Sequence, residues 1–150
     1  MTYSRHVQTY RQTQAATVDS GTLLLMLYQG TIDFLQQAQE SLTRDDMAEK
    51  GRYVMKALAI ISELLVSLDF KVGGEVAQNL EQLYLFMLNQ ITIANVNNDP
   101  KPLSHVIELL KTLNEGWNGA LMEVRKQGMV IAQSKQDVSV NHEHSFAARA

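Results

Sequence analysis

The sequence contains no cysteine. That excludes disulfides and thiolate metal sites, and it suits a reducing compartment. Proline occurs twice, as Pro100 and Pro102, almost side by side. With so few breakers, the rest of the chain favours long helices over many short strands. Charge is sparse: Asp, Glu, Lys and Arg make up 19% of the 150 residues, and the net charge is −3. A grip on the nucleic-acid backbone needs a clustered basic excess, so nucleic acid is not expected as a partner. Long apolar runs are missing too. Even a run such as Leu23 to Tyr28, which none exceeds, is far too short to span a bilayer, so no membrane insertion is expected. Residues 1–16 are polar and lack the apolar core of a signal peptide, which makes the cytoplasm the expected location.

Catalytic motifs are also missing. The sequence has no Walker loop, no GxGxxG, no HExxH and no GxSxG. A carboxylate di-metal centre in a bundle would need Glu-x-x-His pairs, and none is present. His142-Glu143-His144 resembles a metal motif, but histidines two apart do not share a helix face. His6 and His105 stand alone. No catalytic residue, cofactor or metal ligand is therefore expected. Gly73-Gly74 before a helix could cradle an anion, but the pair reads better as a helix terminator.

What is present is apolar periodicity. Hydrophobic residues make up 45% of the chain, and punctuation divides it cleanly. Ser20 is placed as an N-cap. Asp46 followed by Glu49 has the form of a capping box. Gly73 and Gly74 close a helix, Asn97 to Pro100 form a loop, and Gly128 marks a last stop. These marks predict helices over 21–43, 46–71, 75–97 and 101–127. Short linkers between helices of similar length force antiparallel neighbours. The expected fold is all-α, an antiparallel four-helix bundle in a single domain over 1–128, with a short N-terminal arm and a flexible, disordered tail over 129–150.

Each predicted helix carries a stripe at spacings of three and four. The first has Leu24, Leu27, Thr31, Leu35, Ala38 and Leu42. The second has Met47, Gly51, Val54, Leu58, Ile61, Leu65 and Leu68. The third has Val76, Leu80, Leu83, Met87, Ile91 and Ala94. The fourth has Leu103, Val106, Leu110, Leu113, Trp117, Ala120 and Val124. One stripe per helix closes a core, yet apolar residues also lie off these stripes, densest on the first three helices. Such a surplus marks an interaction surface.

Several stretches together resemble one family. Leu25-Met26-Leu27-Tyr28-Gln29-Gly30 resembles the "MLYDG" signature of the flagellar secretion chaperone FliS family, and Gly73-Gly74-Glu75-Val76-Ala77-Gln78-Asn79-Leu80 its "GGEIAxNL". Lys56 to Leu64, Ser67-Leu68-Asp69, Leu83-Tyr84, Met87, Ala94-Asn95, Asn98-Asp99 and Trp117 continue the match, and Val7 and Tyr10 resemble the family's N-terminal segment. The chain departs at Gln29, at Leu85-Phe86, at Gly21 and in its long tail.

The resemblance implies a cytoplasmic chaperone, not an enzyme and without a cofactor. It would wrap the disordered C-terminal part of flagellin, block premature polymerisation, and support delivery to the flagellar export gate. The binding surface is expected in grooves along Leu25, Ile32, Ile60, Leu64, Tyr84, Leu85 and Leu88. Tyr28 and Asn79 would act as polar handles, with an arm carrying Val7 and Tyr10. A different class stays open beside it: a helical scaffold or regulator that pairs with its own kind, its surplus stripes forming a weak homodimer.

Overall fold

The computed structural model describes the backbone of residues 2–147 and the side chains of residues 20–128. Among the described residues there are four helices and no strand: α1 (Thr2–Thr43), α2 (Met47–Val66), α3 (Phe70–Asn97) and α4 (Lys101–Ala147). The chain divides into two units, Met1–Asn114 and Glu115–Ala150.

In the first unit, the turns follow from local chemistry. Asp45 adopts a left-handed conformation (φ 58°), which lets the Asp46 N–H reach back to the Ser41 carbonyl at 2.9 Å and close α1. Asp46 then caps α2 by accepting from the Glu49 N–H at 3.1 Å. The same device ends α3. Asn98 is left-handed (φ 52°), the Asp99 N–H bonds the Ala94 carbonyl at 3.1 Å, and the Asp99 carboxylate accepts from the Lys101 N–H at 3.0 Å to start α4.

Antiparallel packing is fixed by contacts between elements. The Lys50 ammonium at the start of α2 meets the end of α3 through Asn95 and Asn98. Gln39 near the end of α1 donates to Pro100 and Ser104 at the start of α4. The core holds Tyr28, Ile32, Leu35 and Ala38 of α1, and Val54, Ala57, Ile61 and Leu64 of α2. From α3 come Ala77, Tyr84, Met87, Ile91 and Ala94, and from α4 Leu103, Val106, Ile107 and Leu110.

Several boundaries differ from those expected. The break between α2 and α3 falls at Ser67–Asp69, not at the glycine pair. Asp69 accounts for this, because its carboxylate accepts from the Lys71 and Val72 N–H groups and starts α3 early. The glycines lie inside α3 instead, where Gly74 takes φ 50°, ψ −125° and kinks the helix. That region is open to glycine and hostile to other L-residues. Ser20 does not cap a helix, since α1 already runs from Thr2 and the chain has no proline to interrupt it there. In place of a separate arm, the backbone over 2–18 is part of α1. Gly128 does not stop α4, and the backbone over 129–147 is helical. A lone glycine costs a helix only about 1 kcal/mol, too little to end it. The first unit ends at Asn114, short of the single domain expected to residue 128. In the second unit, Trp117 and Leu121 are half-buried, and Ala120, Met122 and Val124 are exposed.

Candidate partner-binding surface

The placement of the expected groove residues follows from helix phase. On α2 the buried positions are Lys50, Val54, Ala57, Ile61 and Leu64. This stripe is turned by about 50° from Met47, Gly51, Val54, Leu58, Ile61, Leu65 and Leu68 at roughly 100° per residue. Leu64 therefore lies in the core, 4% exposed, while Leu58 and Leu65 are only half-buried and Met47 is exposed. Ile32 on α1 is also core. On α3, Val76 is exposed and Ala77 takes its place inside.

Tyr28, expected as a polar handle, and Tyr84, expected in the groove, are core residues as well. Their hydroxyls hydrogen-bond each other at 2.6 Å across the bundle, so each phenol enters the core with its polar tip satisfied. Burial, and then the bond to Tyr28, pushes the Tyr84 phenol far above the ordinary tyrosine range. Leu25, Ile60 and Leu88 are half-buried, and Leu85 and Asn79 are exposed. The side chains of Val7 and Tyr10 lie outside the described residues.

Thus Tyr28, Ile32, Leu64 and Tyr84 leave the expected groove, and Leu25, Ile60, Leu85 and Leu88 stay accessible. The exposed apolar set includes Leu23 on α1 and Phe86 and Ile93 on α3, which lie off the expected stripes, and it adds Met26 on α1 and Met55 and Val66 on α2. Spacing alone could have shown Met55 and Val66, which share the outer side of α2 once its stripe is centred on Ala57.

A cleft of about 440 Å³ opens between α1 and α2. Ser20, Leu23, Leu24 and Leu27 line it from α1, at the spacing of a single helix face, and Glu63, Leu64 and Ser67 line it from α2. Further along the same two helices, Phe34 and Tyr53 pack with ring centroids 6.1 Å apart, and the Lys56 ammonium lies over both rings.

Lys50 holds the frame at the opposite end. It is 8% exposed, and its ammonium donates to Asn95 O at 3.1 Å and to Asn95 Oδ1 and Asn98 Oδ1 at 2.8 Å each. A cation at the C-terminus of α3 is also favoured by the helix dipole. Among the described residues no group of three His, Asp or Glu is placed to hold a metal ion, and no helix is long and apolar enough to cross a membrane.

A small helical bundle with apolar side chains left on its surface has the form of an interaction module. The sequence matches the family described as flagellar protein FliS over residues 3–124, and the chain belongs to that family. It is 38% identical to the flagellar secretion chaperone FliS of Vibrio cholerae, over 70% of this chain and 77% of that one. It is 36% identical to the flagellar secretion chaperone FliSB of Pseudomonas aeruginosa, over 72% and 86%. With FliS of Bacillus subtilis the identity is 31%, over 78% and 86%. A crystal structure of a flagellar chaperone from bacteria shares the fold, with a TM-score of 0.71 and 22% identity over 79% of this chain and 97% of that chain. The protein is accordingly a flagellar secretion chaperone of the FliS family, and that family implies a secreted flagellar partner.

Proposed function

We propose that this chaperone acts in the bacterial cytoplasm, where it holds the disordered C-terminal region of flagellin, keeps it from polymerising early, and presents it to the flagellar export gate. The observation that carries the reading is the surplus of exposed apolar side chains on the first unit, with Leu85 at 50% and Phe86 at 47% exposure on one helix. A disordered segment that folds on binding must cover a large apolar area to offset its ordering cost. Such a surface works by holding, and needs neither a reaction nor a cofactor. A cytoplasmic site of action follows from the role, because an export substrate must be held before it leaves.

The test is co-elution of the full chain with flagellin from the same organism, and with flagellin lacking its C-terminal segment. A stable complex with the first and none with the second is expected, together with suppressed filament growth. A tight homodimer indifferent to flagellin would replace this reading with self-association.

A further inference from the structure

We propose that Met26 and Met55 are reversible oxidation sites, whose conversion to sulfoxides turns part of the apolar surface polar and releases the secreted partner while the bundle stays folded. The inference rests on the reading above, since that surface is the one that holds the partner. The chain has methionines and no cysteine, so thioethers carry all of its sulfur. Methionine ordinarily belongs among the buried residue types. Here, among the methionines whose side chains are described, only Met87 is buried, at 0% exposure, while Met26 is 65% and Met55 62% exposed. Each sits in the apolar surface of the first unit. Leu23, itself exposed, lies one turn before Met26 on the same face of α1, and Val66 shares the outer side of α2 with Met55.

A flexible, polarisable thioether fits an irregular apolar contact, and in the same exposed place it is open to oxidants. The chemistry is oxygen transfer from a peroxide. The sulfur lone pair attacks one oxygen of hydrogen peroxide, the O–O bond breaks, and an S–O bond forms. The transferred oxygen gives up its proton to the departing hydroxide, which leaves as water. Sulfur is oxidised and the peroxide is reduced. Methionine sulfoxide reductases reverse the step, taking a pair of thiols to a disulfide and releasing the oxygen as water. A sulfoxide is polar, so a contact that buried the thioether must now desolvate a strong acceptor. Met87 is shut off from the oxidant, so the core keeps its packing.

The test treats the full chain with dilute hydrogen peroxide. Peptide mapping by mass spectrometry should show Met26 and Met55 oxidised before Met87, with the thermal midpoint within a few degrees of the untreated chain. Flagellin affinity should fall about tenfold, and binding of the apolar-surface dye ANS should fall with it. Both epimer-specific reductases with a dithiol should restore both signals. A chain carrying Met26→Leu and Met55→Leu should lose less than about twofold in affinity on the same treatment, each protein being compared with itself before peroxide. Met122→Leu, in the second unit, should lose as much as the wild type. If the untreated wild type ignores flagellin, the flagellin reading fails, and the dye and the mapping still decide the inference. If flagellin binds and its affinity survives full oxidation of Met26 and Met55, the flagellin reading stands and the inference falls. An equal loss in the double variant, or a loss that appears only once Met87 is oxidised or the midpoint drops, would also overturn it.

Discussion

Lys50 sets three donors against three neutral oxygens of α3 and its cap. Lys50→Met keeps the stem and removes the donors, leaving those oxygens short of partners. A loss of about 2 kcal/mol is expected in urea unfolding, and a change within error would show that the clamp is ornamental. Tyr84 makes a second test, through pH. In the unfolded chain a tyrosine ionises near pH 10, whereas burial holds the native Tyr84 phenol protonated well beyond that. Above about pH 10 the unfolded state therefore releases a proton that the native state keeps, so this contribution is complete below pH 10 and falls as pH rises. Tyr84→Phe should cost about 1–2 kcal/mol at neutral pH and should flatten the alkaline limb of the stability curve. An unchanged alkaline slope would count against the buried pair.

At the scale of elements, two glycines in helices should respond oppositely to the same change. Gly74 sits at φ 50°, with a ψ that ordinary residues avoid. Gly74→Ala should therefore destabilise the fold by about 1–2 kcal/mol. Gly30 lies within α1, and an added Cβ there meets nothing within 4 Å. Gly30→Ala should stabilise by about 0.5–1 kcal/mol, as read from the denaturation midpoint. The contrast also shows what the sequence could reveal. The turns at 43–47 and 97–101 were legible, because Asp46, Asn98 and Asp99 each have a short-range hydrogen-bonding task. The α2–α3 break was not, since a Gly-Gly pair and an Asp N-cap both signal a boundary and only the backbone shows which one prevails. Helix phase was half legible. On α4, Leu103, Val106 and Leu110 fell on the core side as spaced, because Ser104, His105, Glu108 and Lys111 mark the opposite, exposed side. On α2 every residue from Ala57 to Val66 except Ser62 and Glu63 is apolar, so a turn of about 50° leaves the pattern almost as good. For the same reason Leu64 passed for a surface residue, and a tyrosine whose partner is another tyrosine 56 positions away gives no local sign of burial.

For the molecule as a whole, the division between core and binding surface decides what a mutation can report. Leu64 and Leu85 were expected to behave alike, yet one is 4% and the other 50% exposed. A carboxylate forced into the place of Leu64 would be buried without a partner, which is costly enough to compromise folding. Leu85→Asp meets water on its open side and should leave the thermal midpoint within a few degrees. Any effect of Leu85→Asp on flagellin then belongs to the interface, where a charge in a desolvated contact should weaken binding by about 1–3 kcal/mol, or roughly ten- to a hundredfold. The two variants form one experiment. Calorimetry should show Leu64→Asp melting early or not folding, and titration with flagellin should show Leu85→Asp folded but binding weakly. A folded Leu85→Asp that binds flagellin as the wild type does would remove this part of α3 from the binding surface, and would leave Met55, Phe86 and Ile93 as the exposed apolar positions to test next.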